Sequence, residues 1–436
     1  MINLKSVWYD NIEKPKFNSL EGDAETDVLI IGGGLAGILC AHMLHKSGID
    51  YTLIEADEIC SGITKNTTAK ITAQHGLIYD KIIRKYRVDS AREYYLKNSR
   101  AIENYRELCR VFDCNFETKS AYVYSLDDKT EIENEISAYR AIGADVEFVE
   151  DTPLFLKIVG AVKLDNQGQI NPLELLYKIS EKLNIKEHTK LVNLLPHCAE
   201  TTKGKIKFRR AVFTTHFPIL NKHGMYSLKM YQDRSYVIAL ENAQDVDGMY
   251  IDASQKGLSF RNYGDLLLLG GGSHRTGKKG GGFNELISFT ENHYPNAVMK
   301  TKYATQDCMT LDGIPYIGYY SKHTPDLFVA TGFNKWGFTS AMVGAEILCD
   351  MIKGTAQDNS IFSPSRSIFH PQLAVNCFET ILSLLTPTVP RCPHMGCALK
   401  YNKQEHTWDC PCHGSRFKED GNVIDNPADK KIKRKS

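Results

Sequence analysis

The sequence has no surplus of charge of either sign. Its 53 lysines and arginines stand against 52 aspartates and glutamates, which gives a formal net charge of +1. Such a balance offers no electrostatic basis for binding nucleic acid or an acidic membrane, and we expect no nucleic-acid partner. The basic stretch KKIKRKS at residues 430–436 is an exception, and we interpret it as a solvated terminus.

Long hydrophobic runs are also missing. The longest, VLIIGGGLAGILCA, has fourteen residues and four glycines, whereas a membrane-spanning helix needs about 20 apolar residues. The opening stretch, MINLKSVWYDNIEKPKF, is polar throughout and shows no secretory signal pattern. The sequence therefore predicts a cytoplasmic protein with no membrane span.

Cysteines are not scarce, but most of them follow no recognisable spacing. Eight of the twelve cysteines stand at no metal-ligand spacing, and we interpret most of them as small buried apolar residues. The other four lie within residues 391–417, together with three histidines. In a cytosolic chain such a group favours metal or redox chemistry over a disulfide scaffold.

A glycine-rich turn near the N-terminus predicts a nucleotide site. The β-branched run at residues 28–31 is followed at once by GGGLAG and a helical pattern, which predicts strand, turn and helix. Gly32 permits the turn, Gly34 lets a pyrophosphate approach the backbone, and Gly37 lets helix and strand pack closely. Glu55 ends the next apolar run, where a carboxylate accepts from ribose hydroxyls. An ordinary glycine-rich βαβ unit is the alternative.

A second strand and glycine turn lies far along the chain. Residues 326–333 predict a strand ending at a turn, and residues 339–352 predict a helix. Two such turns are expected when one ring system is held between distant parts of the chain. The second helix N-terminus would favour the negative charge of a reduced flavin. The two turns together favour FAD over NAD.

The segments DVLIIGGGLAGILCAHML, TTAKITAQHG, AVFTTHFP, TLDGIPYIG and LFVATGFNKWGFTSA resemble the D-amino-acid oxidase/glycine oxidase family of FAD-dependent oxidoreductases, over residues 1–360. The resemblance implies an α/β, Rossmann-like FAD-binding domain and an α+β substrate domain with a mixed sheet. The cofactor-binding residues expected from it are Gly32, Gly34, Leu35, Ala36, Gly37, Glu55, Ala56, Thr67, Thr68, Ala69, Leu191, Gly332, Trp336, Gly337 and Phe338.

The C-terminal cysteines and histidines form the pattern C-x-H-x15-C-x2-H. Two thiolates and two imidazoles are the ligands of a Rieske [2Fe–2S] centre. Its first iron would take Cys392 and Cys410, and its second iron would take His394 and His413. A zinc site with two cysteines and two histidines is the alternative.

The boxes CPHMGC and CPCHGS resemble those of Rieske proteins in respiratory and photosynthetic cytochrome complexes. This resemblance implies a disulfide between Cys397 and Cys412. Those proteins carry a β-sandwich base before the first box, whereas here only residues 360–390, of helical character, separate it from the flavin domain. We expect a small β subdomain that leans on the flavoprotein for its missing core.

The predicted FAD-binding domain takes residues 1–85, 150–225 and 300–360, the substrate domain residues 86–149 and 226–299, and the linker with the truncated Rieske domain residues 361–436. Residues 89–112 predict a helix pair that caps the substrate side. The glycine-rich residues 270–283 predict a mobile loop beside the substrate site. Asn171 is the expected N-cap of a helix with Pro172 at its first position.

A flavin exchanges electron pairs with an organic substrate and single electrons with an iron–sulfur centre. We therefore expect a dehydrogenase that acts on an amine or amino acid and passes electrons through the cluster to a carrier protein or quinone. The candidate catalytic residues are His75, Arg275, Lys335 and Trp336. Arg234, Arg275 and Lys335 are candidates for holding a substrate carboxylate, and the residues that could shape the pocket are His75, Tyr236, Tyr316 and Trp336. Reverse electron flow, a redox sensor without substrate turnover and a zinc-stabilised flavoprotein stay open as alternatives.

Overall fold

The structure is a computed structural model that describes residues 5–9, 12–220, 222–254, 257–356, 360–387 and 390–432 of the chain. Most of the basic stretch at residues 430–436 lies outside these ranges. Within them, every helix is too short or too polar to cross a membrane.

The helices in these ranges are α1 (Leu35–Lys46), α2 (Tyr79–Lys85), α3 (Val88–Val111), α4 (Lys129–Ile142), α5 (Pro172–Ser180), α6 (Tyr226–Lys229), α7 (Gly282–His293), α8 (Gly337–Lys353) and α9 (Pro371–Leu385). The strands are β1 (Ala24–Ile31), β2 (Tyr51–Ile54), β3 (Lys70–Ile71), β4 (Glu117–Ser125), β5 (Glu147–Val149), β6 (Gly160–Gln169), β7 (Ile185–Lys186), β8 (Leu191–Leu195), β9 (Cys198–Thr201), β10 (Lys205–Phe213), β11 (Met230–Glu241), β12 (Met249–Asp252), β13 (Ser259–Tyr263), β14 (Leu266–Arg275), β15 (Val298–Thr310), β16 (Tyr316–Tyr319), β17 (Leu327–Thr331), β18 (Lys400–Asn402), β19 (Thr407–Asp409), β20 (Arg416–Lys418) and β21 (Val423–Asp425).

The first sheet has the strand order β16-β17-β10-β1-β2-β7, and the β8–β9 hairpin joins it at β10. Strand β1 pairs in parallel with β2 and β10, and its last four residues are buried, as in a sheet covered on both faces. Helices α1 and α8 pack on this sheet and on each other. Both predicted strand–turn–helix units, β1–α1 and β17–α8, are confirmed.

The second sheet has the order β15-β11-β14-β13-β12-β4-β6-β3, and β5 pairs with β6. One end of this sheet is the antiparallel trio β14, β11 and β15, with β15 at the edge. Strands β3, β6 and β15 come largely from ranges that the sequence assigned to the FAD-binding domain. The predicted domain boundaries stay a prediction, but this sheet extends beyond the substrate ranges because these strands pair with β4 and β11.

Two helical segments show how far local patterns predict structure. Asn171 caps α5, since its side chain accepts from the backbone N–H groups of Leu173 and Glu174, and Pro172 stands at the first helical position as predicted. The expected helix pair at residues 89–112 is instead the single helix α3. The stretch contains neither glycine nor proline, and its apolar side is buried along its length, so nothing interrupts the helix.

The C-terminal subdomain is a four-stranded antiparallel sheet, β18-β19-β20-β21, and α9 links it to the flavoprotein. Its core is small and centres on Cys392, Leu399, Cys410 and Phe417. Both the small β subdomain and the helical character of the linker are confirmed. The glycine-rich segment at residues 276–281 was expected to be part of a mobile loop beside the substrate site. It instead packs closely against the C-terminal subdomain, since a Cβ atom on Gly277 would lie 2.7 Å from the backbone nitrogen of Pro411.

Candidate functional site

The first glycine turn brings backbone close to backbone. Gly32 has φ +112°, and a Cβ atom there would lie 2.7 Å from the carbonyl oxygen of Thr214. A Cβ atom on Gly37 would overlap the carbonyl oxygen of Gly32. Gly34 is the N-cap of α1, so the free N–H groups of this helix face the turn. A side chain therefore does not fit at Gly32 or Gly37, as expected of a turn whose backbone a pyrophosphate approaches closely.

Glu55 lies at the end of β2 beside this turn. Its carboxylate accepts from the backbone N–H groups of Gly33 at 2.7 Å and Asp57 at 2.9 Å. Burial raises the pKa of Glu55, and the backbone hydrogen bonds partly counteract the effect. This places an acceptor group where the ribose of a dinucleotide would lie.

A cavity of about 1610 Å³ begins at the turn and extends along the first sheet. It is long and large enough for a dinucleotide, because drug-sized ligands occupy pockets of roughly 300–1,000 Å³. The predicted residues that line it are Gly32, Gly34, Leu35, Ala36, Glu55, Ala56, Thr67, Thr68, His75, Leu191, Gly332, Lys335, Trp336, Gly337 and Phe338. The sequence patterns therefore converge on one site, although the binding role of each residue stays a prediction.

Two predicted residues stand behind the cavity wall. Gly37 is buried in α1. Ala69 is fully buried with φ +53°, and its N–H donates to the Thr67 hydroxyl at 3.0 Å. Both shape the backbone that borders the cavity.

The far end of the cavity has an aromatic wall. The His75 ring stacks on Trp336 with 4.8 Å between ring centroids. Its Nδ1 bonds to the Tyr94 hydroxyl at 2.6 Å, and its Nε2 lies 2.8 Å from the carbonyl oxygen of Thr72. Burial lowers the pKa of His75 to about 3, so the imidazole is neutral at physiological pH. Both ring nitrogens are engaged by the protein, which makes His75 a support for Trp336.

A charged group lies at the same end. The Lys335 ammonium is 3.4 Å from the Asp233 carboxylate and 3.1 Å from the Ser273 hydroxyl. Asp233 on β11 pairs directly with Asp307 on β15, so the two carboxylates are cross-strand neighbours. Burial raises the pKa of Asp307 to about 6, and Lys335 opposes this rise. Asp307 lines the cavity and is therefore a candidate proton-exchanging group.

Asp233 and Asp307 were not predicted from the sequence. Each looks like an ordinary polar residue in an alternating strand, and only the register between β11 and β15 brings them together. Polar and apolar residues alternate in both strands, and this alternation is the sequence signal for the two positions. Neither strand alone, however, shows which of its residues pairs with which residue of the other.

The two arginines predicted to hold a substrate carboxylate contact the C-terminal subdomain. Arg275 Nε donates to the carbonyl oxygen of Pro411 at 2.9 Å, and its Nη2 donates to that of Cys412 at 3.2 Å. Arg234 forms a two-point ion pair with Glu405 of the C-terminal subdomain. Both guanidinium groups bind the C-terminal subdomain, and their role as substrate ligands stays a prediction.

The two candidate tyrosines are likewise engaged by the protein. Tyr236 donates to the Glu405 carboxylate at 3.0 Å. Tyr316 is buried under the guanidinium of Arg366, 4.0 Å from the ring centroid. Of the two, Tyr236 also borders the cavity.

The four predicted cluster ligands lie on two similar loops. In the first loop the N–H of Gly396 donates to the carbonyl oxygen of Cys392, and in the second the N–H of Gly414 donates to that of Cys410. The rings of His394 and His413 are 5.0 Å apart between centroids. The structure therefore brings both cysteines and both histidines of the predicted set to one place.

His413 shows which ring nitrogen is available to a metal. Its Nε2 is 3.0 Å from the carbonyl oxygen of Ser227, which can only accept, so Nε2 carries the proton. Its Nδ1 therefore has a free lone pair, and it is buried with no hydrogen-bond partner among the described residues. This is the tautomer that a ligating histidine needs, with its other nitrogen held by a backbone carbonyl.

Cys397 and Cys412 form a disulfide between the two loops, as the resemblance implied. The sulfurs of Cys397, Cys410 and Cys412 lie within 4.8 Å of one another. The disulfide thus adjoins a predicted ligand, and it ties the loops together without supplying ligands of its own.

The C-terminal subdomain is held by the second sheet. Gln232 on β11 donates to the carbonyl oxygen of His413 at 2.7 Å, and Gln306 on β15 donates to that of Gly414 at 2.9 Å. Glu405 accepts from Arg234, Tyr236 and Arg416. These buried contacts supply the support that the truncated subdomain lacks.

The fold and the site define a flavin-dependent oxidoreductase joined to an iron–sulfur module. Residues 27–351 match the family model for FAD dependent oxidoreductases, DAO, and residues 385–435 match that for the Rieske [2Fe–2S] domain. The chain belongs to this FAD-dependent oxidoreductase family and carries a C-terminal Rieske domain. Its cofactors are FAD and a [2Fe–2S] cluster, so the predicted fold class and cofactors are confirmed and the zinc alternative is replaced.

One relative matches over nearly the whole chain. The Rieske 2Fe-2S iron-sulfur protein YhfW of Bacillus subtilis is 32% identical, over 98% of this chain and 97% of its own length. Among solved structures, the glycine oxidase of Geobacillus kaustophilus has a TM-score of 0.66 and 18% identity, covering 79% of this chain and 99% of its own. The L-proline dehydrogenase of P. horikoshii has a TM-score of 0.65 and 19% identity, covering 80% and 98%. At these identities the two structures establish the fold of the flavoprotein part.

Proposed function

We propose that the chain is an FAD-dependent dehydrogenase that oxidises an amine or an amino-acid-like substrate and passes the electrons singly to its own Rieske cluster. When bound, the flavin supplies the change from a two-electron oxidation to single electrons, and the cluster supplies a one-electron carrier. The final acceptor would be a carrier protein or a quinone, and we expect the enzyme in the cytoplasm.

The observation that carries this proposal is the extent of the cavity. Its lining includes Gly34 and Glu55 at the first turn, Trp336 at the second turn, and the predicted cluster ligand His394. Residues 423–430 of the C-terminal subdomain also border it. The nucleotide site and the cluster site therefore share one cavity wall, which supports electron transfer within the chain.

Strands β11 and β15 support the same proposal, because each serves both sites. On β11, Tyr231 and Ser235 line the cavity, while Gln232 between them donates to the carbonyl oxygen of His413. On β15, Asp307 lines the cavity, and its neighbour Gln306 donates to the carbonyl oxygen of Gly414. Strands β11 and β15 thus form one layer of sheet between the cavity and the second cluster loop.

The charged residues favour a substrate that carries an amine. Asp307 would accept a proton or a hydrogen bond from a substrate ammonium, and Lys335 is the remaining candidate for a substrate carboxylate. Trp336, stacked on His75, would fix one wall of the pocket. The structural neighbours glycine oxidase and L-proline dehydrogenase are named for substrates of the same class.

The test is a panel of amines, amino acids and 2-hydroxy acids added anaerobically to protein loaded with both cofactors. We expect flavin bleaching with one or more amines or amino acids. A Lys335→Met variant should raise KM for substrates with a carboxylate and leave KM for simple amines unchanged. Bleaching by hydroxy acids alone, or by nothing in the panel, would contradict the proposed substrate class.

A further inference from the structure

Helix α9 is oriented with its polar side toward the protein. Asn376 and Ser383 are 1% and 6% exposed, whereas Phe378 and Leu385 on the other side are 64% and 77% exposed. A surface helix of a globular protein normally buries its apolar stripe and exposes its polar one. The reversal in α9 indicates that its outward side meets something other than water.

Polar contacts fix this orientation. The Asn376 side chain donates to the carbonyl oxygen of Leu228 at 3.2 Å and accepts from Arg275 at 2.9 Å. Glu379 pairs with Lys278 at 2.5 Å. The helix therefore cannot rotate its apolar side inward without breaking the hydrogen bonds of Asn376 to Leu228 and Arg275.

The outward side carries a row of exposed apolar side chains, which together with Phe369 and Met395 we call the α9 face. Phe369, just before the helix, is 86% exposed, and Met395, next to the predicted ligand His394, is 46% exposed. The remaining exposed apolar side chains of the face are Val375, Phe378, Ile381, Leu382, Leu384 and Leu385. The face thus extends from the flavoprotein to the first cluster loop. Exposed apolar patches of this kind mark interaction sites.

Basic groups border this face. Lys278 and the exposed Lys279 lie along its side, where Lys278 pairs with Glu379, the single acidic residue of α9. At the C-terminal end, Arg391 donates to the carbonyl oxygens of Ser383 and Leu384 at 3.2 Å. An apolar helix side with cations at its border matches helices that lie in the interface of anionic bilayers.

We propose that the α9 face lies on the surface of an anionic lipid bilayer, with α9 in the plane of the membrane. A bilayer accepts a convex row of Phe, Ile and Leu side chains without a complementary partner shape. Transient complexes between redox proteins use small interfaces. A stable dimer of this chain would bury roughly 800 Å² on each partner with close packing, and one convex helix suits that requirement less well. The first cluster loop would then stand at the membrane surface.

Vesicle flotation of the full-length protein with both cofactors bound tests this proposal. The probes are vesicles of phosphatidylglycerol and vesicles of phosphatidylcholine. We expect wild type to bind phosphatidylglycerol vesicles and the Phe369→Ser, Phe378→Ser, Leu385→Ser variant to bind at least about tenfold more weakly. The Leu96→Ser, Val111→Ser variant is the matched control, because it removes exposed apolar side chains from α3. The Lys278→Gln, Lys279→Gln variant should weaken binding to phosphatidylglycerol vesicles and leave any binding to phosphatidylcholine vesicles unchanged.

Cofactor absorbance verifies that each variant is folded. The proposal is overturned if wild type binds neither vesicle, if the α9 variant binds like wild type, or if the α3 control loses binding equally. It is also overturned if wild type binds no vesicles but forms a dimer, or a complex with a carrier protein, and the α9 variant does not form it.

Discussion

Gln232 Nε2 donates a hydrogen bond to the backbone carbonyl of His413 at 2.7 Å, which joins strand β11 of the second sheet to a predicted cluster ligand. The same amide is held by Gln306, whose Nε2 donates to Gln232 Oε1 and to the carbonyl of Gly414. Both glutamines are fully buried. The second cluster loop is therefore positioned by the flavoprotein as well as by its own subdomain.

Arg275 should be a determinant of cluster retention. The variant Arg275→Met leaves the carbonyl oxygens of Pro411 and Cys412 without this donor and removes the bond to Asn376. Hydrogen bonds to charged groups contribute about 1.5–3 kcal/mol each, so we expect a clear fall in the iron-to-flavin ratio after desalting. The control Arg209→Met removes a largely exposed arginine. An unchanged ratio in Arg275→Met would contradict this role.

Glu405 should control attachment of the C-terminal subdomain. Burial alone would raise the pKa of Glu405, but Arg234 and Arg416 outweigh it and lower the pKa to about 2. Because this pKa is depressed, the stabilisation is present above the ordinary pKa of 4.5 and is lost as the pH falls toward 2. The variant Glu405→Gln leaves the buried Arg234 without its carboxylate, at a cost of about 3–5 kcal/mol, whereas Arg416 keeps its ion pairs with Asp409 and Asp425.

Limited proteolysis measures this attachment. We expect faster release of the C-terminal subdomain from Glu405→Gln than from wild type at neutral pH. The variant Glu21→Gln changes an exposed carboxylate and serves as the control. Equal release rates for Glu405→Gln and wild type would argue against the contribution of this ion pair.

Gly37→Ala should abolish FAD binding, because its Cβ atom would overlap the carbonyl oxygen of Gly32 and force the turn apart. Gly62 lines the same cavity, but a Cβ atom there meets nothing within 4 Å. We therefore expect Gly62→Ala to keep its flavin. The measurement is the flavin content of the purified variants, and a flavin-replete Gly37→Ala protein would be inconsistent with the proposed packing.

Asp307 should make the stability depend on pH. Its pKa is raised from 3.8 to about 6, so the folded state binds more protons than the unfolded state between these values, and stability falls as the pH rises through this window. The variant Asp307→Asn removes this loss. The full difference corresponds to at most about 3 kcal/mol, and less in practice because Asp307 borders the cavity.

Thermal unfolding from pH 4 to 8 checks this prediction. The Tm of Asp307→Asn should exceed that of wild type increasingly from pH 4 to 6 and by a constant amount above pH 6. A Tm difference that is the same at every pH would refute the titration of Asp307 in this range.

The features predicted from sequence are those fixed by neighbours in the chain. The strand, glycine turn and helix around Gly32, the N-cap Asn171 and the spacing of Cys392 and His394 are local, and the structure confirms their placement. The partners of Arg275, the carbonyls of Pro411 and Cys412, could not be predicted because they lie in another subdomain. Local pattern gives the type of an element or ligand, whereas the partner of a long charged side chain depends on the assembled fold.

The central claim is that the flavin delivers electrons to the cluster of the same chain. Flash reduction of the flavin in anaerobic protein tests it, with the Rieske electron paramagnetic resonance signal and flavin absorbance followed together. We predict that the cluster signal rises as the flavin reoxidises, with a first-order rate that is independent of protein concentration. A cluster that stays oxidised beside a reduced flavin, or a rate that increases with protein concentration, would contradict the claim.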